Sequence, residues 1–363
     1  MKSLVLWLLG LLLTAAASAQ VGVVRTSAAE FAPARGESVI YTVRADSQGE
    51  LTLEILSADG DTVRRLRRAI SSAGEHALAW DGRDERGGVV PDEAWCARVV
   101  LEREGRRVVD DPCARSGGEV LPSLEPVLGA GGDISYTLPH AARVLIRVGV
   151  KNGAMLRSLS VWRPRPAGRN LQRWNGFDDS GVVDLRSEAR RDRLAMLVTA
   201  FRLPDFSVIS TGGEGLAYRE WRLAQGWSEA AEPGSAAAAP LVRDGQRIAR
   251  AHHMPRYKDR EPRITLALVG RDGAPLAAGS ALPREVRVLV DLHPDDRWLM
   301  QEQLYEVAFF VDGEFVSEEE NGYVPIGWIW NTESLIEGRH LLTVNLTGFS
   351  GRVGTRTLAL DKR

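Results

Sequence analysis

The chain has 363 residues, a formal net charge of −2 and 26% charged residues spread along its length. That balance argues against a phosphate-gripping nucleic-acid surface, and no run after the first twenty residues approaches the roughly eighteen apolar residues a membrane helix needs. At roughly 100 to 200 residues per domain, the length predicts two to four domains.

At the N-terminus Lys2 precedes an apolar run, Leu4 to Leu13, and small residues ending in Ala17-Ser18-Ala19. This reads as a cleavable signal peptide over 1–19, cut after Ala19, because an apolar core of about ten residues is too short for a permanent span. Gln20 follows the cut, so no cysteine is placed there for a lipid anchor. The mature chain is expected to be soluble, without a membrane span, and periplasmic or extracellular. Cys96 and Cys113 are the two cysteines. They fit one disulfide, worth roughly 3 kcal/mol in a chain-entropy account. Two free thiols are the alternative, and a metal site lacks further ligands nearby.

Two stretches repeat. Tyr41-Thr42-Val43, the strand-like Leu51 to Leu56, a turn at Asp59-Gly60, Val63 and Leu66 lead to Trp80-Asp81-Gly82 with Asp84 and Gly87. Tyr136-Thr137-Leu138, Val144 to Val148, a turn at Asn152-Gly153, Leu156 and Leu159 lead to Trp174-Asn175-Gly176 with Asp178 and Gly181. Landmarks that keep their offset to within one or two residues indicate a duplicated folding unit. Short runs rich in Val, Ile, Leu and Thr between turn signals predict strands, and the Asp-Gly and Asn-Gly pairs predict tight two-residue hairpins. A tryptophan closing a strand buries a large ring between two sheets, while the following Asp or Asn and Gly turn the chain outward.

The first copy resembles the Ig-like domain of flagellar hook-capping proteins (FlgD type), a module also found at the C-termini of secreted bacterial enzymes. The residues that carry the resemblance are Gly60, Val63, Leu66, Gly74-Glu75-His76, Trp80 to Asp84, Gly87 and Val90-Pro91. Where that family continues into a Gly-x-Tyr-x-Tyr-like strand, this chain has Ala94-Trp95-Cys96-Ala97-Arg98-Val99, which puts one cysteine into the strand. The second copy is more degenerate, with the charged stretch Val182 to Arg193 replacing the proline-containing loop. The resemblance spans roughly residues 31–212 and implies a sandwich fold with a spacer or interaction role and no catalytic residues.

Residues 213–262 shift to small residues, charges and prolines, including Pro233-Gly234-Ser235 and Ala236 to Pro240, and read as a connecting segment. Its Tyr218, Trp221 and Trp227 point to packing against a neighbour, or alternatively to an aromatic binding face. From Arg263 onward, strands at Val286 to Val290 and Val307 to Val311, a turn at Asp312-Gly313, Trp328-Ile329-Trp330-Asn331-Thr332 and the strand Leu341 to Leu346 resemble a bacterial Ig-like domain. The expected division is 20–117 and 118–212 for two Ig-like domains, 213–262 for the connecting segment and 263–363 for a third, in an all-β chain of tandem immunoglobulin-like sandwiches.

No motif carries chemistry. His252-His253 has no partner at metal-ligand spacing and is expected at the surface; a Gly-x-Ser-x-Gly elbow is absent. Glu318-Glu319-Glu320-Asn321 and Asp291, Asp295 and Asp296 lack the alternating order of a calcium loop and read as hydrated acids. The basic runs Arg64 to Arg68 and Arg186 to Arg193 read as solvated faces. Gly129 to Gly132 reads as an interdomain turn, since a strand follows it instead of the helix N-terminus that would hold phosphate. No cofactor, metal or enzyme activity is expected. The functional reading is an exported spacer and docking protein for another exported protein. The alternative is a carbohydrate-binding or adhesion module that uses Trp328 and Trp330, which share one face of an extended strand and would stack on sugar rings if exposed.

Overall fold

The computed structural model describes residues 20–122, 124–129, 132–185, 192–213, 215–227, 241–277, 279–300, 305–320, 322–348 and 350–363. The expected signal peptide, most of the basic run 186–193, Asn321 and the proline- and alanine-rich run 233–240 lie outside these residues.

The molecule is all-β with immunoglobulin-like sandwiches. In the first, β1 (Val21–Thr26), β3 (Val39–Ala45) and β6 (Gly74–Trp80) form one sheet, and β5 (Thr62–Ile70), β4 (Gly49–Leu56), β7 (Ala94–Arg103) and β8 (Arg106–Asp110) form the other, while β2 is the short Glu30–Phe31. Alternation decides which side chains meet. Val39, Tyr41, Val43 and Ala45 of β3 turn inward onto Leu51, Leu53 and Ile55 of β4, with Trp80 and Trp95 filling the centre.

The second sandwich repeats this order. Strand β9 is Val120–Leu121; β10 (Val127–Leu128), β11 (Ile134–Leu138) and β14 (Gly168–Gln172) form one sheet, and β13 (Met155–Arg165), β12 (Ala142–Val150), β15 (Leu194–Arg202) and β9 the other. The place β8 takes after β7 is filled here by β9, which precedes the repeat. The chain leaving β15 is used differently: β16 (Val208–Ser210) returns to the first sandwich, antiparallel to Ala94–Trp95 of β7 and parallel to β2.

After the hairpin β17 (Val242–Arg243) and β18 (Gln246–Arg247), the third sandwich has the same topology again. Its sheets are β19 (Ile264–Val269), β20 (Glu285–Leu292) and β23 (Ile326–Asn331), and β22 (Glu314–Glu319), β21 (Tyr305–Val311), β24 (Gly338–Gly348) and β25 (Val353–Lys362). Three short α-helices, α1 (Pro112–Arg115), α2 (Tyr218–Ala224) and α3 (Arg297–Met300), and 3-10 turns at Pro33–Arg35, Arg250–His253, Arg256–Lys258 and Pro294–Asp296 complete the described elements. Among the described residues no helix is long and apolar enough to cross a membrane.

Three sequence expectations about turns and loops are corrected. Asp59-Gly60 and Asn152-Gly153 each contribute one left-handed residue, Gly60 and Asn152, to turns closed by Gly60 N→Ser57 O (3.0 Å) and Gly153 N→Val150 O (3.1 Å). Register shifts next to them, at Ile55/Leu56 and Val148/Gly149, lengthen these connections beyond two residues. The two-residue hairpins with positive φ at both positions are instead Glu104-Gly105, Asp244-Gly245 and Asp312-Gly313. Gly129 and Gly132 belong to the hairpin between β10 and β11, inside the second sandwich rather than between sandwiches. His252 is half-buried rather than at the surface, packing edge-on against Phe201 with ring centroids 5.7 Å apart.

Candidate functional site

The repeated tryptophan motif builds the same loop in each copy. Trp80 and Trp174 are buried, and each indole N–H donates to a carbonyl three residues on, Arg83 O and Phe177 O, both at 2.9 Å. The side chains of Asp81 and Asn175 accept from the amides of those same residues at 3.1 Å, an Asx turn that redirects the chain. Gly82 (φ +71°) and Gly176 (φ +81°) take the left-handed position, and a Cβ at Gly82 would lie 2.3 Å from Pro33. Gly87 and Gly181 also have positive φ. Asn331 repeats the Asx turn in the third sandwich by accepting from Glu333 N at 2.9 Å.

The buried acids four residues after these tryptophans close the loops. One oxygen of Asp84 accepts from Arg86 N and Gly88 N, both at 2.9 Å; Asp178 accepts from Val182 N (2.7 Å), Val183 N (2.8 Å) and Ser180 N (3.2 Å). Both loops also receive a later part of the chain. The second oxygen of Asp84 accepts from Gln225 Nε2 (2.8 Å) and Trp221 Nε1 (3.3 Å) of the α2 segment, and Arg86 donates to Ala224 O and Gln225 O. Ser180 of the second loop accepts from Thr357 N of β25 at 2.8 Å.

The junction between the first two sandwiches is built on charge. Arg143 of β12 and Glu93, both buried, pair at 2.7 Å, and Arg143 also donates to Trp162 O. Arg222 of α2 meets Asp61 at 3.1 Å and Asp59 at 3.5 Å, and Asp59 also accepts from Tyr218 OH (2.9 Å) and Arg256 N (2.6 Å). Arg256 in turn pairs with Asp259 at 2.9 Å. Burial pushes the Asp259 carboxyl up to about 7 against the pull of Arg256, and burial pushes His252 down to about 3, helped by the neighbouring His253 and Arg256. Trp221 packs edge-on against Trp95 and Trp227, so the aromatic residues of 213–262 fill a core. A cavity of about 240 Å³ remains at this junction, lined by Leu56, Ser57, Arg143, Phe201, His252 and the Cys96–Cys113 disulfide. Its arginines face paired acids and backbone carbonyls.

The second and third sandwiches are joined through Glu261 and Asn345. One Glu261 oxygen accepts from Arg147 (2.6 Å) and Ser158 Oγ (2.8 Å), the other from Val353 N (2.7 Å). Asn345 exchanges hydrogen bonds with Met155 N and O, both 2.8 Å, while Phe310 of β21 joins the core of the second sandwich.

The expected ligand surface at Trp328 and Trp330 is corrected. The two do share one strand face, but it is the inner one. Trp330 is 5% exposed, and Trp328 stacks on Phe309 at 4.4 Å. The acidic loop 291–296 is also accounted for: Arg260 and Arg263 hold Asp296, and Arg297 holds Asp291 at 2.7 Å. Among the described residues, no three His, Cys, Asp or Glu side chains converge as a metal site.

With the loop geometry in hand, comparison with known proteins is informative for the first sandwich. Residues 34–102 match the FlgD Ig-like domain family. This stretch contains the first Trp-Asp-Gly loop and ends in β7. No curated protein matches the chain in sequence. Among solved structures, FlgD from Xanthomonas campestris, described for its role in hook capping, is 23% identical over 32% of this chain and 78% of its own, with a TM-score of 0.21. A tetra-tandem repeat from the extending region of a large adhesion protein is 13% identical over 95% and 75%, TM-score 0.20. A bacterial ice-binding adhesin is 10% identical over 95% and 97%, TM-score 0.19.

Proposed function

We propose that this is an exported, non-catalytic protein whose Ig-like domains, residues 20–117, 118–212 and 263–363, form a stiff spacer and docking platform for another periplasmic or secreted protein. Residues 1–19 are removed on export, and within 213–262 the stretches 215–227 and 241–262 pack against the sandwiches instead of hanging free. The observation that carries this reading is the filling of both junctions by buried ion pairs and reciprocal side-chain hydrogen bonds. Parting such junctions would strand buried charges without their partners, which is costly. The disulfide fits an oxidising compartment. The buried titratable groups pair with one another across the junctions, which supports a mechanical use of them over a chemical one.

The test is capture of the tagged protein from its native envelope fraction with quantitative mass spectrometry, alongside a glycan array and small-angle scattering of the purified chain. A stoichiometric exported protein, a blank array and scattering that fits one rigid arrangement are expected. A glycan hit, or scattering that requires freely moving domains, would overturn the reading.

A further inference from the structure

Two exposed sheet edges on this chain are complementary to each other. Strand β14 is an outer strand of its sheet, and Asn170 turns into the core while Arg169, Leu171 and Arg173 face solvent, Leu171 at 53% exposure. The guanidinium groups of Arg169 and Arg173 have no hydrogen-bonding or acidic partner among the described residues. On β5, another outer strand rich in arginine, Arg64, Arg65 and Arg68 are instead engaged by Asp84 O, Glu54 and Ala77 O. At the far end of the chain, β22 is likewise an outer strand, with Phe315 53% and Val316 43% exposed. Glu318 and Glu319 follow them without a basic partner among the described residues.

Unpaired backbone groups on an outer strand recruit another strand unless charge repels it. Here the charges attract. An antiparallel register with Leu171 opposite Val316 puts Arg169 opposite Glu318. The wider surroundings match, since residues 118–212 contain 13 Arg and Lys against 9 Asp and Glu, and residues 263–363 contain 10 against 15.

We propose that β14 of one copy adds to β22 of a second copy, so that the protein associates head to tail through its basic second and acidic third sandwiches. The occupant is another copy because every molecule carries both edges. The contact is heterologous, so it leaves one free edge at each end and allows growth into rows unless the rotation closes a ring.

Sedimentation equilibrium of the purified protein over a hundred-fold concentration range tests this. At low ionic strength the mean mass is expected to rise with concentration, and about 0.5 M salt is expected to weaken association roughly ten-fold or more, since exposed charges are screened. Arg169→Glu/Arg173→Glu and Glu318→Lys/Glu319→Lys should each remain monomeric while keeping wild-type circular dichroism. Mixing the two should restore association, because the reversed edges are again opposite in charge. A wild-type protein that stays monomeric throughout, or variants that associate as before, would overturn the proposal.

Discussion

At Asp84 one carboxylate closes its own loop with one oxygen and holds α2 with the other, whereas Asp178 uses both oxygens for its own loop. Asp84→Ala strands two backbone amides, the Trp221 indole and the Gln225 amide, and a buried donor left unmade costs about 1–3 kcal/mol. Destabilisation in that range is expected in urea titration, with faster proteolysis around 218–227. Asp178→Ala should destabilise without exposing that segment. His252 makes a second prediction. Its folded pKa of about 3 lies below the ordinary 6.5, so the neutral ring is the form the fold binds. Its contribution is full above pH 6.5 and is lost as pH falls toward 3. His252→Phe keeps a ring beside Phe201 but takes up no proton, so its urea midpoint should fall less steeply than wild type between pH 7 and 4. Parallel curves would mean that His252 contributes no such term.

Among the elements, β7 is held from several sides: by β4, by β8, by β16, and by the disulfide from Cys96 to Cys113 in α1. The bridge closes a sequence separation of 17 just before Gly117-Gly118, where the chain crosses to the second sandwich. A loop of that size is worth roughly 3 kcal/mol. Cys96→Ala/Cys113→Ala should lose about that in chemical denaturation, and reductant should then have no further effect. Strand positions were legible because they are written locally. Val39 to Ala45 alternate, and Trp80, Trp174 and Trp330 lie at or next to a strand end, each followed at once by the residue whose side chain makes the Asx turn. Turn type was less legible, because bulges in β4–β5 and β12–β13 change the loop length without changing the Asp-Gly or Asn-Gly pair. Alternation put Trp328 and Trp330 on one face, but which face is inner depends on β20 and β21, which pair and pack from elsewhere in the chain.

At the scale of the whole molecule, the junctions are what sequence reading missed. Each joins residues far apart in the chain, Asp84 with Gln225 or Arg147 with Glu261, and no local pattern marks an arginine as buried at one. Glu261 is the most concentrated of these links, since its carboxylate serves β12, β13 and β25 together. Glu261→Ala leaves Arg147 largely buried without its acid, and breaking such a pair costs about 3–5 kcal/mol. The cost falls on the contact between the second and third sandwiches, not on either core. Wild-type protein is therefore expected to unfold in a scanning calorimeter with those two sandwiches coupled, and Glu261→Ala to split off the third as a separate, earlier transition. If the variant instead kept one transition at a lower midpoint, the coupling would lie in the Phe310 contact and the Asn345–Met155 exchange. Phe310→Ala on the Glu261→Ala background would then be the change that separates them.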